Sequence, residues 1–190
     1  MAVLTESKNP KFREALSFIR EKHAGQFRKF DKKPYIVHPI QVAKIIKKFK
    51  GNSKNIDDLM IAALLHDTLE DTNATLPEIR KRFGNLVSSL VKELTSEKEK
   101  IEKLGKALYL SKKMVEELTD YGLSLKLADR LSNTSDFTIA DPAFVKKYVA
   151  ETNKIIESLS KRELTSTQKK LLAEIEKNIE KAKKSFSIDS

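Results

Sequence analysis

The longest apolar run in the chain, Leu59 to Leu65, stops at His66-Asp67 and is followed one turn later by Glu70-Asp71. A stretch that is apolar on every face predicts a buried helix, here over about 56–70. Most other segments carry apolar residues on one face only. Phe12, Ala15, Leu16 and Ile19 predict a helix over 8–23, and Ile40, Val42, Ala43, Ile45 and Ile46 one over 39–49 with Pro39 near its first position. Gly25 and Pro34 mark the loop 24–39, and 51–55 reads as a turn. Thr75-Leu-Pro-Glu78 has the form of a capping box opening a short helix that ends at Phe83-Gly84, with a further helix over 85–95.

The second half reads the same way. Residues 97–119 predict one charged helix with Leu104, Ala107, Leu108 and Val115 inward, and Gly122 is expected to break the chain. Leu123, Leu125, Leu127, Ala128 and Leu131 predict a buried helix over 123–135, and Asp141-Pro142 begins another to about 160. Thr165-Ser166 caps an amphipathic helix over 167–184 with Leu171, Leu172, Ile175 and Ile179 inward, and the tail 185–190 is expected to fray. No repeat, linker or strand-like alternation stands out. The expected fold is all-α: one domain over 1–190, a bundle of about 8–10 helices.

Composition narrows the chemistry. With no cysteine there is neither a disulfide nor a thiolate metal site, so any metal must rest on the three histidines and the carboxylates. Imidazole with carboxylate suits Mn, Fe, Zn or Co alike. The first ten residues lack a signal-peptide pattern and no apolar run reaches membrane-spanning length, which reads as cytoplasmic. A formal net charge of +10 favours anionic partners.

Three helices carry ionisable groups where apolar ones are expected. Four such groups at the end of an apolar helix are costly to bury without a partner, and a divalent cation can serve. On a continuous helix His66 would share a face with Glu70, and Asp67 with Asp71. Asp129 interrupts the apolar pattern of 123–135 with Asn133 four residues on, and either Lys126 or Arg130 offers it an ordinary countercharge. His38 opens the helix over 39–49 and by itself reads equally as a capping or core histidine. Together His38, His66, Asp67 and Asp129 make a two-histidine, two-carboxylate set suited to a metal site inside a helical bundle.

Four ordered stretches, 23–43 (HAGQFRKFDKKPYIVHPIQVA), 62–72 (AALLHDTLEDT), 83–95 (FGNLVSSLVKELT) and 125–133 (LKLADRLSN), resemble the HD-domain hydrolases of the RelA/SpoT type. The resemblance spans about 8–160 and is strongest to the stand-alone small alarmone hydrolases, including the metazoan SpoT homologues. It implies hydrolysis of guanosine 3′,5′-bispyrophosphate at one Mn²⁺ held by His38, His66, Asp67 and Asp129. It further implies Glu70 and Asp71 as the catalytic pair, with Asn133 lining the site. Arg28, Lys29, Tyr148 and Lys103 become substrate contacts, and His23 of the HxGQ motif is read as structural. Lys32 and Lys33 can neutralise phosphates or simply form a solvated loop face. The loop RKFDKKPY departs from the many relatives with a small residue or glycine after Arg-Lys, and the stretch between Asn133 and Tyr148 is short for a metazoan member.

Two other functions fit the sequence. One is an HD-fold phosphohydrolase for another nucleotide, for example an NADPH phosphatase, which the altered loop at Phe30 keeps open. The other is a non-catalytic basic module that binds nucleic acid, against which the intact set of ligands and the Glu70-Asp71 pair argue. The expected partner is therefore a guanine nucleotide alarmone rather than nucleic acid or membrane, with the oligomeric state left open.

Overall fold

The computed structural model describes residues 9–188, so the absence of a signal pattern in the first eight residues and the last two residues of the tail lie outside it. The chain forms two compact units, Met1–Thr95 and Ser96–Ser190. Among the described residues there is no β-strand, only an isolated bridge between Phe27 and Pro34, and no helix is long and apolar enough to cross a membrane.

In the first unit, α1 (Pro10–Lys22) starts where the Asn9 side chain accepts from the Lys11 amide at 2.9 Å, with Pro10 at the first position, where no N–H is missed. A loop leads to α2 (Val37–Lys50), which begins two residues earlier than expected and places His38 inside its first turn and Pro39 third. Next comes α3 (Ile56–Leu65), buried from Leu59 through Leu65. It is followed by the single turn α4 (Thr68–Asp71), α5 (Leu76–Phe83) and α6 (Asn85–Leu94). Helix α3 packs on α1, α2 and α6, which is why its stretch from Leu59 to Leu65 is apolar all round.

The expected helix over 56–70 is interrupted at His66-Asp67. The His66 ring meets the Ala63 carbonyl through Nδ1 at 2.8 Å, and the Thr68 hydroxyl donates to the Leu65 carbonyl at 2.7 Å. These side chains take carbonyls that a continuing helix would use. The capping box at α5 is half formed: Thr75 Oγ1 accepts from the Glu78 amide at 3.4 Å, but the Glu78 carboxylate pairs with Lys22 at 3.2 Å and Arg82 at 3.7 Å.

In the second unit the charged stretch 97–119 is not one helix. It splits into α7 (Lys98–Leu104), α8 (Lys106–Lys112) and a π-helical turn (Lys113–Glu117). Gly105 separates the first two at φ +75°, a conformation open to glycine and strained for other residues. The break re-aims the faces: Leu104 and Leu108 are exposed, and Tyr109, Leu110 and Met114 form the inner side instead. Gly122 does not break the chain. It lies in the first turn of α9 (Asp120–Thr134), where its amide donates to the Thr119 cap at 3.1 Å.

A 3₁₀ turn (Phe137–Ile139) then leads to α10 (Pro142–Leu159), capped by Asp141. The last helix, α11 (Ser166–Phe186), carries a complete capping box between Thr165 and Gln168, and it continues through Ser185 and Phe186, which were expected to fray. Leu171, Leu172, Ile175 and Ile179 are buried as the spacing predicts. Helix α11 packs on α9 and α10, and α10 packs on α8.

Candidate metal centre

Because α3 stops where it does, His66 and Asp67 leave the core side by side. Nε2 of His66 lies 2.9 Å and Nε2 of His38 lies 3.8 Å from the same oxygen, Asp67 Oδ2. The two imidazoles meet edge to face with centroids 5.2 Å apart, both buried. The Ala63 carbonyl can only accept, so His66 Nδ1 carries its hydrogen and Nε2 presents the lone pair. This outer hydrogen bond fixes tautomer and ring orientation as it does for metal-ligating histidines. Two nitrogen donors and one carboxylate converging from separate helices fit a borderline divalent ion, and His38, His66 and Asp67 can hold one.

Glu70 and Asp71 sit on α4, one turn beyond. The Asp71 amide donates to the Asp67 carbonyl at 3.0 Å, so the one-turn spacing of Asp67 and Asp71 survives the helix break. Partial desolvation and then the carboxylates of Asp67 and Glu70 push the Asp71 carboxyl above its ordinary range, with His23 and His66 opposing. A carboxyl raised in this way holds a proton more readily than an ordinary surface carboxylate does.

The basic loop is held in shape by Asp31. Its carboxylate takes the Lys33 amide at 3.1 Å, the Lys33 ammonium at 3.1 Å and Arg28 Nε at 3.4 Å. Although desolvation opposes it, these hydrogen bonds and charges hold Asp31 below the ordinary carboxylate range. Lys29 lies over the Phe30 ring, while the Lys33 side chain is 63% exposed, as a solvated loop face requires.

The remaining expected residues lie in the second unit. Asp129 Oδ1 accepts from Asn133 Nδ2 at 2.8 Å, the spacing of four expected on one helix face, and Oδ2 pairs with Lys126 at 3.3 Å. Arg130, the other cation within reach in sequence, turns instead to Glu151 at 2.8 Å and Thr152 at 2.7 Å. The Tyr148 ring lies under the Arg130 guanidinium at 4.7 Å and against Phe137 and Phe144. Burial pushes its hydroxyl up to about 12 against the opposing charge of Arg130. Lys103 is exposed on α7.

Three contributors in the first unit escape sequence reasoning. The Tyr35 hydroxyl donates to Asp67 Oδ2, Gln26 Nε2 donates to the Asp71 carbonyl at 2.8 Å, and Asp31 organises Arg28. All three lie in the loop before α2, where no period reveals which residues turn inward. The one signal was their closeness in sequence to Arg28 and His38.

The HD-domain family model matches residues 15–165. A guanosine-3′,5′-bis(diphosphate) 3′-pyrophosphohydrolase of Aquifex aeolicus is 37% identical over 160 residues, 78% of this chain but 21% of that protein. The chain thus spans about a fifth of that relative's length. The MESH1 protein of Xenopus tropicalis, which bears the same enzyme name, is 38% identical over 130 residues, covering 68% of this chain and 70% of that one. A solved structure described as a metazoan ortholog of SpoT that hydrolyzes ppGpp superposes with a TM-score of 0.75 at 27% identity, over 91% of this chain and 96% of that one. The converging His38, His66 and Asp67 and these relatives lead to one placement: the chain belongs to the HD-domain family, in its RelA/SpoT-type branch of small alarmone hydrolases.

Proposed function

We propose that this chain is a divalent-metal-dependent 3′-pyrophosphohydrolase of guanosine 3′,5′-bispyrophosphate, acting in the cytoplasm as a single HD-type domain. The observation that carries the reading is the convergence of His38 and His66 Nε2 on the Asp67 carboxylate, in a chain whose relatives bear that enzyme name. The family match runs from 15 to 165 and so supports one domain drawn from both compact units. Asp129 supplies the further carboxylate ligand in this proposal, Asn133 lines the site, and Mn²⁺ is the proposed ion.

When bound, such an ion supplies Lewis-acid polarisation of the phosphoryl group. The chain's own residues supply the rest. Water attacks the phosphorus nearest the ribose, the bond from phosphorus to the 3′ oxygen breaks, and pyrophosphate leaves. Asp71, with its raised carboxyl, takes the proton of the attacking water while Glu70 orients it, and the ribose 3′ oxygen takes up a proton. Guanosine diphosphate remains, or the triphosphate from the pentaphosphate substrate. Arg28 and Lys29 neutralise phosphate charge, and the flat guanidinium of Arg28 can also stack on the base. Tyr148 and Lys103 are assigned to substrate by family position.

The test is product analysis. Purified chain with Mn²⁺ is expected to convert ppGpp to GDP and pyrophosphate, resolved by ion-exchange chromatography. Orthophosphate as product, or attack on NADPH in place of ppGpp, would return the reading to a phosphohydrolase of another nucleotide.

A further inference from the structure

His23 closes α1 and is buried to 3% exposure, yet its ring nitrogens are unequally served. Nδ1 lies 2.8 Å from Gln26 Oε1, and Gln26 Nε2 donates to the main-chain carbonyl of Asp71 at 2.8 Å. A carbonyl only accepts, so the amide nitrogen of Gln26 must face Asp71 and its oxygen must face His23. His23 Nδ1 therefore carries the hydrogen. Nε2 is buried with no hydrogen-bond partner among the described residues. A partnerless buried nitrogen is a cost that an apolar ring of the same size avoids, so filling space does not account for a histidine here.

The face of the ring makes a second connection. It packs on Tyr35 with centroids 4.8 Å apart and planes 34° from parallel, and the Tyr35 hydroxyl donates to Asp67. His23 thus stands at the root of two arms. One runs through Gln26 to the turn that carries Asp71. The other runs through Tyr35 to Asp67.

We propose that His23 is a positioning residue for the reaction: through Gln26 it fixes the turn bearing Asp71, and through Tyr35 it seats Asp67. This rests on the functional reading above for its kinetic consequence, though not for its structural one. It also separates the arms, because a phenylalanine at position 23 keeps the stacking and loses the hydrogen bond.

The experiment uses the full metal-loaded chain in four variants: His23→Phe, His23→Asn, Gln26→Ala and the His23→Phe/Gln26→Ala double. His23→Phe should retain the metal and lower kcat for ppGpp about tenfold, the loss of one well-placed hydrogen bond, with KM within about twofold. Gln26→Ala, at a half-buried position that folding tolerates, should match it, and the double variant should lose no more than either alone. His23→Asn, whose amide nitrogen can take the place of Nδ1, should recover most of the turnover. Hydrogen exchange of the segment 66–74 should quicken about tenfold in His23→Phe and Gln26→Ala. Wild-type turnover and exchange in both, fully additive losses, or a His23→Asn no better than His23→Phe would each overturn the assignment. A wild-type chain inert toward ppGpp would sink the functional reading instead, while hydrogen exchange still decides the role of His23.

Discussion

The Tyr35 hydroxyl donates its hydrogen bond to Asp67 Oδ2, the oxygen that also lies 2.9 Å from His66 Nε2 and 3.8 Å from His38 Nε2. A residue from the loop therefore sets the orientation of a carboxylate at the end of the core helix. Tyr35→Phe keeps the rings against His23 and His38 and removes only this bond. Metal affinity should fall about 10–100-fold, read by competition with a chelator. Unchanged affinity would mean that Asp67 is held by its neighbours alone.

Asp129→Ala tests the proposed ligand from the second unit. It removes one half-buried carboxylate from α9 without disturbing the apolar face that packs on α11. The variant should lose the ion by elemental mass spectrometry and keep its helical circular dichroism. Full metal content would remove Asp129 from the ligand set.

Glu70→Gln and Asp71→Asn should both retain the ion and lose about 10²–10⁴-fold in turnover. Asp71→Asn has a second expected effect. A carboxyl whose folded pKa is raised weakens the fold as pH climbs from the ordinary carboxylate value through the raised one. Metal-stripped Asp71→Asn should therefore melt above the stripped wild type at pH 7 and level with it at about pH 3, below the ordinary value. Equal midpoints at pH 7 would show that neither partial burial nor the neighbouring carboxylates raise the Asp71 carboxyl.

Arg28→Ala should raise KM for the nucleotide more than it lowers kcat, because in the proposed function Arg28 neutralises phosphate charge and moves no proton. Steady-state kinetics on ppGpp decides this. A pure kcat effect would place Arg28 at the reacting phosphorus.

Arg130→Ala should be a folding variant. It leaves Glu151 buried at 9% exposure without its cation at 2.8 Å, and breaking such a pair from one side costs about 3–5 kcal/mol. Urea denaturation at neutral pH measures it. A loss below about 1 kcal/mol would mean that Glu151 finds water or protonates cheaply.

Much of this was readable from residue order. The His66-Asp67 pair closing an apolar run, Asn133 four residues past Asp129, and the Thr165 cap with its stripe of leucines and isoleucines are all local and periodic. Three features were not. Gly105 turns the chain so that Leu104 and Leu108 face solvent, a backbone event that an apolar count cannot register. The break after Leu65 arises because the His66 ring and the Thr68 hydroxyl compete for helix carbonyls, and both residue types are also ordinary within helices. Tyr35, Gln26 and Asp31 act through long side chains from a loop, where sequence spacing carries no direction.

The bond from His66 Nδ1 to the Ala63 carbonyl ties an imidazole directly to the backbone of a helix that is buried without a break from Leu59 to Leu65. Ala62 and Ala63 are completely buried, so a larger side chain at either must be absorbed by movement of α3 itself. That movement would arrive at the imidazole without passing through any residue that touches substrate. In a random library scored for activity, damaging alleles should then crowd into these two small, chemically inert positions. Such a map would outline the seam where interior and chemistry share one piece of main chain, and that seam leaves little room for stability and turnover to be tuned separately.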